Sequence, residues 1–277
     1  ACRLIEREGC TYTLAATPFA VDLVKLKDVS KYDLRTFRIF GCGGAPIPSE
    51  LAKEMEEKIG CKLIPIYGET EHFISTAVWA SDPFEKIVGS DGCPWPGQEV
   101  EIFDDNRKML PVGETGEIAI KGPGVASGYY KKPEHTRETF TESGWQFSGD
   151  LAVKDKDGYI RIVGRKKDII IRGGFNISPS EVEDLLFTHP KIRNVSIVGM
   201  PDERLGERNC VYVIPKEGET VTLEDIVTFL REKKLAAQKL PERVEIVKEF
   251  PMTLSGKVQK YLLREDIAKK LDAEKNK

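Results

Sequence analysis

The sequence predicts a mixed architecture, α/β followed by α+β: a parallel α/β layer, a small antiparallel β-barrel, and then a separate small α+β domain. Three observations predict it. Residues 1 to about 90 alternate short apolar strands with an amphipathic helix. Residues 92 to 164 are punctuated by Gly and Pro between runs of alternating polarity, as in a small antiparallel sheet or barrel. The four charges Arg165-Lys166-Lys167-Asp168, set between Gly164 and the β-branched run Ile169-Ile170-Ile171, then read as a hinge between two bodies.

In order, Thr11–Leu14 and Thr36–Phe40 read as short buried strands. Pro48 to Ile59 reads as a helix because Leu51, Met55 and Ile59 recur every four residues with Glu and Lys between them. Lys62 to Ile66 is the next strand, and strand–helix–strand with short links implies parallel pairing. Glu99–Phe103 and Gly116–Ile120 alternate as half-buried strands do, and Asp155-Lys156-Asp157-Gly158 reads as a hairpin turn. Beyond the hinge, Ser178-Pro179 suits the start of a helix carrying Val182, Leu185 and Leu186. Strands follow near Asn194–Val198 and Cys210–Ile214, Thr222 caps a helix to about Glu232, Arg243–Val247 is a last strand, and Val258–Leu271 a last helix.

Composition narrows the function classes. The chain has 277 residues, 31% charged and 40% hydrophobic, with a formal net charge of -3. That length favours two domains, and that balance argues against a basic nucleic-acid footprint. No apolar run reaches the roughly 18 residues of a membrane span, and no signal peptide is recognisable. Cys2, Cys10, Cys42, Cys61, Cys93 and Cys210 form no CxxC pair and are accompanied by three histidines, so they read as reduced structural residues rather than zinc ligands. A cytoplasmic protein is expected.

Four motifs carry the chemistry. Tyr67-Gly68-Glu69-Thr70-Glu71 follows a strand end, where ligands bind in open α/β sheets. Ser148-Gly149-Asp150 looks on its own like a turn. Gly164 to Ile177 includes the double glycine Gly173-Gly174, and Pro251-Met252-Thr253-Leu254-Ser255-Gly256-Lys257 continues into Val258 and Lys260. A lone Ser-Gly-Lys is usually solvated surface. All four in this order, over nearly the whole chain, resemble the acyl-adenylate-forming superfamily, which includes acyl-CoA synthetases, aryl-CoA ligases, peptide-synthetase adenylation domains and firefly luciferase.

The resemblance implies site residues. Lys257 would bind the substrate carboxylate and the α-phosphate, offsetting negative charge as two anions meet. Tyr67 would stack on adenine beside Gly68. Thr70 would bond phosphate and Glu71 would hold Mg²⁺, an ion that takes one or two carboxylates plus phosphate oxygens. Gly44, Ala45 and Pro46, in the run Gly41–Pro46, would form a wall against the base. Asp150 would accept from the ribose hydroxyls; the family usually has Thr-Gly-Asp, so Ser148 is a departure that keeps the hydroxyl. Arg165 would hold ribose and phosphate, and Lys167 would stand at the hinge, where relatives carry aspartate or lysine. Gly173 and Gly174 would line the pantetheine path. The signature Gly116 to Tyr129 is assigned to structure, and His72 and Phe73 to the border of the acyl pocket.

The family's Ser/Thr/Gly-rich phosphate loop ending in Pro-Lys-Gly has no counterpart here, and full-length relatives are roughly twice this length. The expectation is therefore the carboxyl-terminal half of an acyl-CoA synthetase: residues 1–164 from the large domain, 165–168 the hinge, and 169–277 the small mobile domain. Its cofactors would be ATP/AMP, Mg²⁺ and coenzyme A, its partner a fatty or aryl acid, and the half-chain would be inactive alone. The alternatives are an adenylation enzyme loading a carrier protein and a non-catalytic nucleotide-binding module.

Overall fold

The computed structural model describes all residues except 45–46, 254–256 and 276–277. Two compact units emerge, Ala1–Ile162 and Val163–Lys277.

The first unit opens with α1 (Cys2–Glu8), β1 (Tyr12–Ala16) and α2 (Thr17–Lys25). It continues through β2 (Ile39–Gly43), α3 (Ser49–Ile59), β3 (Lys62–Glu69), β4 (Phe73–Ala77), α4 (Phe84–Gly89) and β5 (Cys93–Pro94). These strands form one sheet in the order β1-β2-β3-β4-β5. The first three are parallel, each reached across a helical connection, and β3–β4–β5 are antiparallel. Leu51, Ala52, Met55 and Ile59 bury one stripe of α3, and Gly60 ends the helix at φ 76°. That stripe packs with Phe37, Phe40 and Leu63 into the core of the layer.

β1 departs from the expected buried strand. Tyr12 and Leu14, two residues apart and so on one face of the sheet, are exposed, while Thr13 and Ala15 on the other face are half-buried.

A second sheet follows, in the order β6-β7-β8-β9: β6 (Glu99–Phe103), β7 (Thr115–Lys121), β8 (Gln146–Lys154) and β9 (Ile160–Arg165). A short helix, α5 (Pro133–Thr139), interrupts it. The alternating sequence is reflected in a core of Val100, Ile102, Ile118, Ile120, Ala152 and Ile160. The turn at Asp155–Gly158 is tied to α4 by Lys86, whose ammonium reaches Asp155 at 2.7 Å and Asp157 at 3.0 Å.

The second unit contains β10 (Ile170–Arg172), β11 (Phe175–Ile177), α6 (Pro179–Leu186), β12 (Ile192–Asp202) and β13 (Gly206–Pro215), then α7 (Leu223–Glu232), β14 (Arg243–Ile246) and α8 (Lys260–Lys275). Its sheet runs β11-β10-β13-β12, with β14 parallel on β13. Both faces are covered. Ile197, Val211 and Val213 pack with residues of α6 and α7, and Val198, Cys210 and Tyr212 with Leu263 and Ile267 of α8. Burial on both faces explains the unbroken apolar runs in these strands. They extend well past their apolar centres, since paired residues such as Met200 and Arg208 continue the ladder.

Helix starts divide by chemistry. Thr222 accepts from the Asp225 N–H while the Asp225 carboxylate accepts from the Thr222 N–H, a full capping box. Ser178 precedes α6 as expected but makes no side-chain cap. Its hydroxyl, with that of Ser180, donates instead to the Val163 carbonyl.

Candidate functional site

In the first unit, the site grows from the carboxyl ends of the parallel strands. Ala16 pairs with Gly43 where β1 and β2 end. Gly43 approaches β3 so closely that a Cβ there would lie 2.9 Å from the Ile66 carbonyl oxygen. Gly44 follows at φ 92°. Gly43 thus brings bare backbone against the Ile66 carbonyl, an approach that a side chain would block. Ala45 and Pro46 lie outside the described residues.

Tyr67–Glu71 does not wholly follow the strand: Tyr67, Gly68 and Glu69 are its last residues. β3 turns tightly into antiparallel β4, with Gly68 opposite Ile74 and Glu69 opposite Phe73. Between the Thr76 and Ile74 pairings Ser75 is extra, a β-bulge. Thr70 is exposed at the turn. Glu71 is half-buried, and its carboxylate accepts from the Tyr129 hydroxyl at 2.8 Å.

Ser148-Gly149-Asp150 is also a bulge. Glu117 pairs with Leu151 and Ala119 with Phe147, so three residues of β8 face Ile118 alone. The Ser148 hydroxyl makes the bulge: it donates to the Ile118 carbonyl at 3.1 Å and accepts from the Asp150 N–H at 3.0 Å. Serine can supply that oxygen as threonine does, which accounts for the tolerated departure. Gly149 sits at φ 75° and its N–H donates to Glu117 at 3.1 Å. The bulge turns Asp150 toward β3, where it accepts from the Tyr67 hydroxyl at 3.1 Å. Two motifs 83 residues apart therefore meet through their side chains. Burial, then the Asp150 and Glu69 charges, push the Tyr67 phenol well above its ordinary range, so it remains a donor.

His72 is fully buried rather than bordering an open surface. Its Nδ1 lies 2.6 Å from the Ser75 hydroxyl and its Nε2 3.7 Å from a Glu69 oxygen. Burial outweighs the Glu71 charge and lowers its pKa from 6.5 to about 4. A depressed histidine stabilises the fold fully above pH 6.5 and loses that contribution as pH falls toward 4, because the unfolded chain binds the proton first. At its limit this is about 3 kcal/mol. In urea titrations, His72→Gln should remove that share of the stability loss between pH 6.5 and 4. Parallel pH profiles for the two proteins would contradict it. Phe73 is exposed at φ 55°.

In the second unit, Lys257 is tied by hydrogen bonds to Thr253. Met252 pairs with Val258, the Thr253 N–H donates to the Lys257 carbonyl at 2.8 Å, and the Lys257 N–H donates to Thr253 Oγ1 at 3.1 Å. The lysine is exposed; Leu254, Ser255 and Gly256 lie outside the described residues. Arg165 and Lys167 are exposed at the end of β9 and in the 3-10 turn Lys166–Asp168. That turn is fastened to α8 by Arg264, 3.0 Å from Asp168. Gly173 and Gly174, at φ 56° and 86°, are the two central residues of the β10–β11 hairpin, whose left-handed backbone glycine suits. A Cβ on Gly174 would meet nothing within 4 Å.

Sequence reasoning missed Tyr129. It lies in the Gly116–Tyr129 signature that had been assigned to structure, and it reaches Glu71. The density of glycine there was the available signal, since glycine permits close backbone approach. Among the described residues no group of three or more His, Cys, Asp or Glu is arranged to hold a metal, and no helix is long and apolar enough to cross a membrane. A single carboxylate suits an ion that takes its other ligands from phosphate and water.

The family model described as AMP-binding enzyme matches residues 1–130, and that described as AMP-binding enzyme C-terminal domain matches residues 181–257. The chain is 46% identical to a medium-chain fatty-acid–CoA ligase of Escherichia coli K12, over 97% of this chain and 47% of the relative. It is 40% identical to the 2,3-dihydroxybenzoate-AMP ligase of Bacillus subtilis 168, over 97% of this chain and 50% of the relative. The crystal structure of ATP-bound MatB from Rhodopseudomonas palustris superposes with a TM-score of 0.85 at 31% identity, covering 96% of this chain and 52% of that one. The chain thus spans about half the length of the curated relatives it matches. Matched by both models and folded as its solved relatives are, this chain belongs to the AMP-binding enzyme family.

Proposed function

We propose that the protein is part of an AMP-forming acid–thiol ligase, an acyl-CoA synthetase acting on a fatty or aryl acid. ATP and the acid would give acyl-AMP and pyrophosphate, and the CoA thiolate would then displace AMP. One observation carries the reading: the Tyr67 hydroxyl on Asp150, which joins the residue assigned to adenine to the residue assigned to ribose. A phenol and a carboxylate held together in advance lower the entropy cost of gripping a nucleoside.

Glu71 would hold Mg²⁺ against the phosphates, which it would screen as the acid approaches. Thr70 would bond phosphate, and Gly44, Ala45, Pro46 and Gly68 would border the base. On the second unit Lys257 would meet the carboxylate and α-phosphate, Arg165 ribose and phosphate, and Gly173–Gly174 the pantetheine arm, with Lys167 in the hinge. Residues 165–168 would be the pivot between a large-domain portion and a mobile domain from 169 onward. Six free cysteines fit a cytoplasmic location. The half-length match to both relatives supports placing the complete activity in a longer polypeptide, of which this would be the carboxyl-terminal half, inactive alone.

Calorimetry tests the nucleotide reading. AMP should bind this chain, with no gain in affinity for ATP over AMP, and Asp150→Ala should weaken AMP at least tenfold. Absence of AMP binding, or unchanged binding by Asp150→Ala, overturns the site. Similarity to the 2,3-dihydroxybenzoate-AMP ligase supports a second reading, adenylation for a carrier protein. Offering the full-length enzyme CoA and a phosphopantetheinylated carrier separates the two.

A further inference from the structure

Glu71 is gripped twice by one short segment. The Tyr129 hydroxyl donates to its Oε1 at 2.8 Å, and the Ala126 N–H donates to its carbonyl at 2.7 Å. The segment comes this close because of its glycines. A Cβ on Gly124 would stand 3.0 Å from the His72 carbonyl oxygen and 2.4 Å from Gln98 Nε2; one on Gly122 would stand 2.7 Å from the Gly97 carbonyl oxygen.

Tyr129 is itself held in place. Its N–H donates to Thr136 Oγ1 at 2.9 Å, and its ring meets Phe140 edge-on at 5.6 Å. Gly128 admits Thr136, whose Cγ2 would lie 2.5 Å from a Cβ there. A carboxylate on a tight turn has several rotamers; a fixed phenol on one oxygen selects among them.

We propose that Tyr129 is a positioning residue that aims the Glu71 carboxylate at the divalent cation accompanying the nucleotide phosphates, by holding Oε1 and presenting Oε2. The inference rests on the metal role given to Glu71 above. It makes the glycine-rich signature an arm that sets the metal carboxylate, and not only a turn in the second sheet.

The test is a Mn²⁺ titration of the protein with saturating AMP, read by electron paramagnetic resonance, for wild type, Tyr129→Phe and Glu71→Gln. Glu71→Gln should abolish the bound ion. Tyr129→Phe should weaken Mn²⁺ about tenfold, the scale for outer-shell partners of a metal ligand, with metal-free AMP affinity and Tm unchanged. Unaltered Mn²⁺ affinity in Tyr129→Phe, with the ion still lost in Glu71→Gln, overturns the role of Tyr129 alone. Parallel loss of Mn²⁺ and metal-free AMP affinity in Tyr129→Phe also overturns it, since a merely structural hydroxyl would act that way. No Mn²⁺ on the wild type, or binding that survives Glu71→Gln, overturns the metal role of Glu71 and the inference with it.

Discussion

Gly68→Ala is expected to destabilise the protein by about 3 kcal/mol, the upper range for overpacking a tight site, and to abolish AMP binding. A Cβ at this position would stand 1.8 Å from the Phe73 carbonyl oxygen, 2.8 Å from its carbon and 3.1 Å from Ile74 Cα. All three atoms are backbone of the facing strand, so no rotamer change relieves the clash. Gly68 pairs with Ile74, and Phe73 already sits at φ 55°. The hairpin must open, which draws Tyr67 away from Asp150. Gly60→Ala is the control: φ is 76°, but a Cβ there meets nothing within 4 Å. Its cost should be the left-handed backbone penalty alone, about 1–2 kcal/mol. Urea midpoints measure both. A Gly68 variant no less stable than the Gly60 variant contradicts the argument.

Lys257→Ala is expected to lower adenylation by about 10²–10³ in the full-length enzyme, the scale for removing one preorganised charge-stabilising donor. AMP affinity should fall far less, because the α-phosphate is only one of the groups by which AMP would be held. Lys257 is joined to Thr253 through main-chain N–H and C=O groups and the Thr253 hydroxyl, none of which the substitution removes. Stability should therefore change by no more than about 0.5 kcal/mol, as for other surface positions. Pyrophosphate exchange with a panel of acids measures the activity. Full exchange in the variant would return Lys257 to solvated surface; equal loss of AMP affinity would make it a nucleotide-binding residue rather than one needed for the reaction.

Much of the scaffold was legible because local pattern and tertiary burial agree. The four-residue recurrence of Leu51, Met55 and Ile59 is the buried stripe of α3. Thr222 lies where its side chain can reach the third residue of a helix, and it does so with Asp225. Ser178 shows the limit: it has the same chemistry at the same kind of position, yet a carbonyl from β9, distant in sequence, captures its hydroxyl. Tyr12 and Leu14 have the composition of a core strand, but the face of β1 they share is exposed.

What the sequence determined by itself was which chemistry is present and in what order: the Tyr67–Glu71, Ser148–Asp150 and Thr253–Lys257 motifs, the glycines at the turns, and the family that contains them. Those are properties of residue type and spacing along one chain. Tertiary structure decided what each group touches. It bends Tyr67–Glu71 into a hairpin through a bulge at Ser75, turns Asp150 onto Tyr67 through a bulge opposite Ile118, and seals His72 from water. It also draws Tyr129 across 58 residues onto Glu71. Bulges and long-range hydrogen bonds arise from the register between strands, and register is set by partners far along the chain, which no local window contains.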